Sequence, residues 1–266
     1  MTAQLNNILW VLELQGTLLT PLMARNALKS NVTWSSYPFL PPTGASGFLA
    51  DLVGGMKWYE ANDNQVRHLH EMPEYHNVVA LGAYPTGGQL SRRHFRAHIG
   101  SLSFNYEAYA WKAGRNEGKK LAVIEEYLAE ELWFVVVAHE EKPLHALHRL
   151  VRGRVARIAK KGLMQIGYTA EARLSKFQRT EAEGKEEAIA LVPIQELGVF
   201  AIEALPYRVP IRSEGTSGGI RWHGQDVTWS RCGLRFKQGI PIYADEHQKR
   251  GISASLLPER SSTVSA

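Results

Sequence analysis

The chain contains a single cysteine, Cys232, among its 266 residues. One thiol excludes an internal disulfide and a cysteine-based zinc site, and it favours a reducing, cytosolic compartment. Long apolar runs are also missing, since the best candidate, Leu132 to Ala138, has the length of a strand and falls short of a membrane span. The N-terminus lacks the basic region, apolar run and cleavage site of a signal peptide. These absences predict a cytoplasmic protein with no membrane partner.

Neither sign of charge is in large excess, because 31 Lys and Arg stand against 26 Asp and Glu, for a net charge of +5. The sequence pI of about 9.3 is mildly basic. Apolar residues make up 44% of the chain, which is enough for a globular protein with a sizeable core. A nucleic-acid partner is therefore indicated by where the cations stand rather than by their sum.

Apolar spacing predicts a strand followed by a helix near the N-terminus. Ile8 to Leu18 alternates apolar residues with the period of two that is typical of a strand. Ala45 to Met56 carries apolar residues at helical spacing. Thr43 is placed to cap this helix, and Gly54-Gly55 is placed to end it.

A second strand-helix unit follows. His76 to Tyr84 and Glu131 to Ala138 predict the second and third strands. A second helix is predicted to begin at Pro143, to carry its apolar face through Ile158, and to end at Lys160-Lys161-Gly162. Leu163 to Tyr168 predicts the fourth strand. The order β-α-β-β-α-β predicts an α+β fold of the ferredoxin-like class, a scaffold of many RNA-binding domains.

An insertion from Pro85 to about Lys120 separates the second strand from the third, and a structureless loop of this length is uncommon unless it is functional. Residues 1–180 are therefore predicted to form a ferredoxin-like RNA-binding domain that carries this insertion. The acidic run Glu181 to Glu187 predicts a linker into a smaller β-rich half, residues 181–250. The Ser-rich residues 251–266 are predicted to form a mobile tail.

The segment from Arg25 to Leu49 is the first candidate RNA site. Backbone amides around Thr43 to Ser46 lie at a predicted helix N-terminus, where the helix dipole favours a phosphate. Cationic and aromatic side chains before the helix can bind the RNA backbone and stack on bases, and Tyr37 is one such aromatic. The residues predicted to bind RNA are Arg25, Lys29, Ser30, Trp34, Ser35, Thr43, Gly44 and Ser46. The alternative is a proline-rich turn whose aromatic side chains fill the edge of the core.

The insertion is the second candidate, because it interleaves cations with aromatic residues. Cations bind phosphates and rings stack on bases, so this pattern fits RNA binding without sequence preference. A solvated loop is the alternative, although exposed aromatic side chains are costly. The pattern runs through Arg92, Arg93, His94, Phe95, Arg96, Phe104, Tyr106, Tyr109 and Trp111. Of these, Arg92, Arg93, Phe95 and Arg96 are predicted to contact RNA.

Three short motifs resemble the "Cas five" family of the CRISPR-associated RAMP superfamily: Tyr37-Pro38, Pro41-Pro42-Thr43 and Gly47-Phe48-Leu49. The element order, the insertion and the β-rich half extend the resemblance over most of the chain. It implies a CRISPR RNA-binding structural subunit of a type I Cascade-like complex, which caps the 5′ handle of the guide RNA in antiviral defence. It implies that the insertion is a thumb contacting a neighbouring subunit. The implied partners are the guide RNA, the repeated backbone subunit, the large subunit and, indirectly, target DNA, with no cofactor.

Two weaker candidates lie elsewhere. Arg149 and Arg152 stand on the polar face of the predicted second helix, where they either follow an RNA backbone or are simply solvated. Arg221 follows the glycine-rich turn Gly215 to Gly219, which lacks the lysine and hydroxyl pair of a P-loop. Because members of the resembled family carry glycine-rich loops near RNA, the resemblance makes Arg221 a further RNA contact.

Histidines distinguish a binding protein from an enzyme. His145 and His148 have a helical spacing that can place two imidazoles on a metal, but no further ligand completes the site, so no metal is predicted. A metal-independent endoribonuclease that processes precursor CRISPR RNA needs only a histidine or tyrosine base near a cation, and the insertion supplies His94, His98, Tyr106 and Lys112. We expect no catalysis, because the relatives that process RNA differ around the first helix. A protein-only scaffold with an incidental basic surface is the third possibility.

Overall fold

The computed structural model describes residues 7–25, 33–54, 68–86, 90–99, 120–158, 162–167, 172–198, 205–216, 219–230, 233–247 and 249–258. These ranges form a mixed α and β structure with two α-helices, α1 (Pro42–Gly54) and α2 (Glu141–Val151). In chain order the strands are β1 (Ile8–Leu18), β2 (Ala24–Arg25), β3 (Thr33–Trp34), β4 (Ser36–Tyr37), β5 (Val79–Pro85), β6 (Ser91–Ile99), β7 (Lys120–Leu128), β8 (Glu131–Ala138), β9 (Val155–Ile158), β10 (Gly162–Ile166), β11 (Arg173–Glu181), β12 (Glu187–Ala188), β13 (Val192–Pro193), β14 (Pro206–Thr216), β15 (Gly219–Thr228), β16 (Pro241–Asp245) and β17 (Arg250–Ser253). Within the described ranges, neither helix has the length and apolar character needed to cross a membrane.

Strand β1 lies at the centre of a nine-stranded sheet. On one side it pairs antiparallel with β8 from Trp10 to Thr17. On the other side its first half pairs with β11 and its last residues pair with β10, both antiparallel. Since β5 pairs with the outer side of β8, four strands stand in the order β5-β8-β1-β10, with α1 and α2 in the connections between them.

Most of the elements predicted near the N-terminus are confirmed. Strand β1 covers the predicted residues 8–18, and β8 covers the predicted residues 131–138. Helix α1 begins one residue before the predicted cap, at Pro42, because the fixed φ of proline suits the first helical position. The second strand begins three residues later than predicted, at Val79, after a 3-10 turn at Pro73–Tyr75.

The second helix is shorter than predicted. It ends at Val151, and the predicted continuation through Ile158 is wrong because Val155–Ile158 forms β9. Gly153 has a φ of 71°, a left-handed conformation that glycine adopts without a steric penalty, and it turns the chain out of the helix. Residues Val155–Ile158 then pair antiparallel with β10. Lys160 and Lys161, predicted to close the helix, lie outside the described residues.

The helices cover one face of the sheet. The Phe48 ring of α1 stacks on the Phe134 ring of β8, with centroids 5.3 Å apart. Leu144, Leu147 and Val151 of α2 are fully buried in the same core. Burying three such side chains and the aromatic pair removes enough apolar surface from water to fix both helices on the sheet.

C-terminal residues reach the opposite face. Leu14 pairs with Phe134 on the helix side, so the neighbouring Glu13 points the other way. There the Arg250 Nη1 atom lies 2.8 Å from Glu13 Oε2, and the Arg250 guanidinium also lies over the Phe177 ring. Both faces of β1 are therefore covered, which explains why Leu9 and Val11 are buried as well as Leu12 and Leu14.

The predicted acidic linker is a compact connection between strands of this sheet. Strand β11 ends at Glu181 and β12 begins at Glu187. Between them the fully buried Glu186 carboxylate accepts hydrogen bonds from the backbone N–H groups of Glu183, Gly184 and Lys185 at 3.1–3.2 Å. The sheet thus contains strands from both sides of residue 180, while the division into two domains stays a prediction.

The rest of the C-terminal part is rich in strands, as predicted. Strands β13, β15 and β14 form a separate three-stranded sheet. The long strands β14 and β15 pair antiparallel up to Thr216 and Gly219, and residues 217–218 of the predicted turn lie outside the described residues. Most of the predicted strand-like segment 198–206 lies outside the described residues. The predicted tail boundary at residue 251 falls inside β17, and residues 259–266 lie outside the described residues.

Candidate RNA-binding surface

The two segments predicted to bind RNA are joined in the structure. Within the insertion, β6 and β7 pair antiparallel as a hairpin, and residues 100–119 between them lie outside the described residues. Strand β3, which precedes α1, pairs parallel with β7 through Thr33 with Val123 and Trp34 with Ile124. Nearby, the backbone N–H groups of Leu22 and Tyr127 each donate to the other residue's carbonyl oxygen, at 2.8 and 2.9 Å. The insertion hairpin therefore lies against the pre-helix segment, residues 33–41.

Glu125 of β7 makes the central polar contact between the insertion hairpin and the pre-helix segment. Its carboxylate is buried, with 8% of the residue exposed, and its Oε2 accepts a hydrogen bond from the Ser36 backbone N–H at 3.0 Å. On the other oxygen, Oε1, lie Arg92 Nη1 at 3.6 Å, His94 Nε2 at 3.7 Å and the Tyr127 hydroxyl at 3.4 Å. A buried carboxylate is costly unless donors and cations surround it, so these five residues form one unit, the Glu125 cluster.

The Arg92 side chain contacts Glu125 but remains mostly exposed to solvent. About 59% of its side chain is exposed, compared with 10% of the Glu125 side chain that it faces. A guanidinium has five N–H donors, and one carboxylate oxygen at 3.6 Å occupies few of them. His94 is likewise half-exposed beside the same oxygen. The cluster therefore exposes one permanent cation and one imidazole ring next to the buried Glu125 carboxylate.

Arg93 points to the opposite face of the hairpin, since neighbouring residues of a strand alternate. Its Nε donates to Glu126 Oε1 at 2.6 Å, and Glu126 is buried. Two of the three arginines predicted in this hairpin, Arg92 and Arg93, are thus each matched by a glutamate on β7, one on each face. The pairing lowers the net positive charge of the hairpin but fixes where the guanidinium groups stand.

Tyr127 of the cluster and the neighbouring Tyr207 stay protonated at neutral pH. Burial raises the pKa of Tyr127 to about 12, and the nearby negative charge of Glu125 contributes to that shift. Burial and then Glu125 also raise the pKa of Tyr207, which belongs to β14. Both phenols are therefore hydrogen-bond donors rather than bases, and Tyr207 brings the start of the C-terminal hairpin β14–β15 next to the cluster.

Packing among buried aromatic rings fixes the position of the pre-helix segment. Tyr37 stacks on Phe39 with ring centroids 5.6 Å apart, and its hydroxyl donates to the Arg208 carbonyl oxygen at 2.6 Å. Phe39 also contacts the rings of Tyr84, Tyr207 and Trp229. The sequence-based choice of Tyr37 as a base-stacking residue is wrong, because its ring is buried in this core.

The N-terminus of α1 is largely covered. Thr43 and Ser46 are buried, and the Ser46 hydroxyl accepts a hydrogen bond from the Leu69 backbone N–H at 2.9 Å. Gly44 and Ser35 are half-buried. Of the predicted phosphate-binding residues at this helix end, only the partly exposed Gly44 reaches the surface, and the hydroxyl of Ser46 serves to hold the 3-10 turn at Leu69–Glu71.

The remaining predicted residues are placed as follows. Arg149 and Arg152 are exposed at the C-terminal end of α2, on a different element from the Glu125 cluster. Lys29 and Ser30, together with Tyr106 and Lys112, lie outside the described residues. For several others the structure describes the backbone position: Arg25 in β2, Trp34 in β3, Phe95, Arg96 and His98 in β6, and Arg221 in β15.

Trp34 and Phe95 occupy one row of the small sheet β3-β7-β6, because both are register partners of Ile124. Sequence reasoning missed Glu125, Tyr127 and Tyr207. The only signal was the Glu125-Glu126 pair directly after the apolar residues Leu121 to Ile124, and it does not reveal that Ser36, 89 residues away, is the partner. Among the described residues, no group of three His, Cys, Asp or Glu side chains is arranged to hold a metal.

Comparison with known proteins gives little beyond this geometry. No protein-family model and no curated protein matches the chain. A solved structure of the Type III-B Cmr-beta bound to cognate target RNA aligns with a TM-score of 0.44 and 8% identity, over 85% of this chain and 86% of that one. A CRISPR protein from Archaeoglobus fulgidus aligns with a TM-score of 0.42 and 14% identity, over 92% and 98%. Similarities at this level do not establish a shared fold.

Proposed function

We propose that this chain is an RNA-binding, non-catalytic subunit of a CRISPR ribonucleoprotein complex. One observation carries the proposal: the pre-helix segment and the insertion hairpin, each predicted separately to bind RNA, form a single surface around Glu125. Two RNA-binding segments bind with higher affinity when they are already held together, because less of the chain has to be ordered on binding.

The small sheet β3-β7-β6 carries the two components that single-stranded RNA requires. Arg92 and His94 stand on one face of the sheet for the phosphate backbone, and the exposed Arg93 shares the other face with the backbone positions of Trp34 and Phe95. Cations that track phosphates and aromatic rings that stack on bases together bind RNA with little sequence preference. Glu125 and Glu126 limit the long-range attraction, so contact depends on close fit rather than on net charge.

The finer role rests on the resemblance of the motifs from Tyr37 to Leu49. By that resemblance the chain caps the 5′ handle of the guide RNA in a type I Cascade-like complex, with the insertion hairpin as its thumb. Its partners are the repeated backbone subunit and the large subunit, and it meets target DNA indirectly. The strand order β5-β8-β1-β10, with helices in the connections, supports assigning the core to the ferredoxin-like class.

RNA affinity of the full chain, measured by fluorescence anisotropy with a short labelled single-stranded RNA over a series of salt concentrations, tests this function. The double variant Arg92→Gln/Arg93→Gln is preferable to charge reversal, because a glutamate at either position would face Glu125 or Glu126. We expect affinity to fall about tenfold and the salt dependence of log K to lose about 0.7 per phosphate contact removed, or about 1.4 for two.

The matched control is Arg179→Gln/Arg235→Gln, which removes two exposed arginines outside this surface. The control should keep the affinity and the salt slope of the wild type. Equal losses in both double variants would show that binding is not localised here. A wild-type chain without salt-sensitive RNA affinity, alone or with its partner subunits, would favour a protein-only scaffold.

One observation favours a second function, metal-independent cleavage of precursor CRISPR RNA. The half-exposed His94 imidazole lies 3.7 Å from Glu125 Oε1, with Arg92 beside the same oxygen. An oriented imidazole and a guanidinium are the groups that general acid–base catalysis and charge stabilisation use. Incubation of repeat-containing RNA with the chain in EDTA separates the two functions. Intact RNA supports the binding role, whereas defined products that disappear in His94→Gln would establish cleavage.

A further inference from the structure

A second basic surface lies at the far end of the central sheet. Residues 142–170 contain seven Lys and Arg and no Asp or Glu. Four of these cations, Arg149, Arg152, Arg154 and Arg157, lie at the end of α2 and along β9, and all four are exposed. Arg154 Nη1 donates to the Leu52 carbonyl oxygen at 2.5 Å, which fixes it against the end of α1. A stretch of sequence with seven cations and no acidic residue favours an acidic partner.

Large aliphatic side chains are exposed beside these cations. Leu19, Val155 and Leu163 have 52%, 50% and 45% of their surface exposed. The Leu19 backbone N–H donates to the Leu163 carbonyl oxygen at 2.9 Å, and Leu163 lies opposite Arg157 in the β9–β10 register. Since Val155 and Arg157 are two residues apart on β9, they share one face of the sheet with Leu163. Exposed aliphatic groups gathered in this way are typical of an interaction surface.

Strand β9 also offers backbone groups. It is the last strand of the nine-stranded sheet, and within the described part of the chain it pairs with β10 alone. In an antiparallel pair, alternate residues point their N–H and C=O groups away from the partner strand. The outer edge of β9 can therefore add a short extended strand, as in β-augmentation.

We propose that this end of the sheet, the β9 surface (Leu19, Arg152, Val155, Arg157 and Leu163), binds an extended segment of another protein in which acidic and apolar residues alternate. The acidic side chains meet the arginines, the apolar ones cover Val155 and Leu163, and the backbone pairs with β9. This interface is independent of the proposed RNA-binding function of the Glu125 cluster.

The chemistry of the β9 surface favours protein over RNA. Residues 142–167 contain no Phe, Tyr or Trp, whereas the insertion interleaves cations with aromatic rings. Single-stranded RNA sites depend on such rings for stacking. Arg149 and Arg152, which the sequence suggested as RNA contacts, are exposed at the end of α2 and precede the exposed Val155 in the chain.

Binding of a fluorescein-labelled peptide of alternating glutamate and valine to the full chain tests the proposal. We expect saturable binding that weakens at least about tenfold in Arg152→Glu/Arg157→Glu and in Val155→Ser/Leu163→Ser, since both pairs are exposed and tolerate substitution. Arg179→Glu/Arg235→Glu is the matched control and should bind the peptide like the wild type. Amide hydrogen exchange should slow at residues 155–158 when the peptide is bound, because an added strand protects the edge.

Three results would overturn the proposal. The first is a dissociation constant of about 1 mM or weaker for the peptide in the wild-type chain. The second is a loss of affinity for a labelled oligouridine in Arg152→Glu/Arg157→Glu that equals the loss of affinity for the peptide. This result would assign the surface to RNA. The third is concentration-dependent dimerisation that Val155→Ser/Leu163→Ser abolishes, which would assign it to a second copy of the chain. Loss of RNA binding in the Arg92→Gln/Arg93→Gln variant leaves the peptide result unaffected.

Discussion

Glu125 connects three parts of the chain that are distant in sequence. Its two oxygens contact the Ser36 backbone N–H, two side chains of β6 and the Tyr127 hydroxyl, and its charge adds to the larger effect of burial in raising the pKa of Tyr207 on β14. An ionised carboxylate in such a place is stabilised only while these donors remain in position. At the scale of a residue, this side chain decides whether the candidate RNA surface exists as one unit.

Replacing Glu125 with alanine should lower the free energy of unfolding by about 1–3 kcal/mol, because the buried Ser36 N–H loses its acceptor. Glu125→Gln should cost less, since an amide oxygen still accepts that hydrogen bond. Urea unfolding of the full chain measures both changes. The exposed Glu130 is the control, and Glu130→Ala should stay within about 0.5 kcal/mol of the wild type. Equal values for all three variants would mean that Glu125 does not join the segments.

His68 gives the fold a predicted pH dependence. It is 2% exposed, its ring stacks on that of His70 with centroids 5.6 Å apart, and its backbone N–H donates to Glu71 Oε2 at 3.1 Å. Burial, with a smaller contribution from His70, lowers its pKa despite the opposing charge of Glu71. Below the unfolded-state value of about 6.5, the unfolded chain takes up a proton that the folded chain resists, so stability falls as pH falls.

Between about pH 7 and pH 5, the free energy of unfolding should therefore decrease more steeply in the wild type than in His68→Gln. The difference between the two slopes should be up to about 1.4 kcal/mol per pH unit. His247→Gln removes an exposed histidine and should keep the wild-type slope. Chemical unfolding at several pH values gives these slopes. Parallel pH profiles for the wild type and His68→Gln would exclude His68 as the source.

At the scale of an element, the bulge in β5 decides how the pre-helix segment crosses the sheet. The register of β5 with β8 shifts between Ala80 and Gly82, and Gly82 has a φ of 123°. Next to it, Leu40 and Ala83 exchange backbone hydrogen bonds of 2.8 and 2.9 Å. The bulge thus holds the chain just before α1 against β5, in register with the aromatic cluster around Phe39.

Gly82→Ala should destabilise the chain more than Gly239→Ala, although both glycines have positive φ values. A Cβ at Gly82 would lie 2.7 Å from the Tyr84 hydroxyl oxygen and 3.0 Å from the Leu40 carbonyl oxygen, whereas nothing lies within 4 Å at Gly239. Left-handed backbone costs about 1–2 kcal/mol in both, and overpacking adds about 1–3 kcal/mol at Gly82. Thermal unfolding of the two variants gives the difference. A Gly239→Ala change as large as that of Gly82→Ala would contradict the packing argument.

At the scale of the whole molecule, the central sheet contains strands from both sides of residue 180. Strand β16 pairs with β11, β17 pairs with β16, and Arg250 reaches Glu13 of β1. Phe177 is fully buried between these elements and Leu9 of β1 is its register partner. Removing the C-terminal strands would expose one face of β1 to water and leave Glu13 without its arginine.

A fragment of residues 1–180 should therefore lack a cooperative thermal unfolding transition. The free energy lost by exposing its apolar surface to water exceeds the stability of a typical domain. The chain shortened to residues 1–258 keeps every described residue and is the control, which should unfold like the full chain. Circular dichroism during heating and dispersion of amide NMR signals measure both. A cooperatively folded 1–180 fragment would establish the two-domain division predicted from the sequence.

The sequence by itself determined the elements whose patterns are local. Period-two and helical spacing located β1, α1 and β8, because each buries a face that its own residues encode. The same reasoning extended α2 too far, since apolar spacing through Ile158 fits a helix as well as a turn followed by a strand, and the conformation of Gly153 decided between them. The interleaving of cations with aromatic residues along the insertion predicted RNA binding, and that stays a prediction.

Only the tertiary structure decided which of those residues share a surface. Pairing of β3 with β7 and the Glu125–Ser36 hydrogen bond are contacts between segments about 90 residues apart, and no local pattern encodes them. Burial removed Tyr37 from the surface, and the glutamates of β7 fixed Arg92 and Arg93. The physical reason is that spacing reports which face of an element is apolar, whereas the partner of that face is chosen by packing of the whole chain.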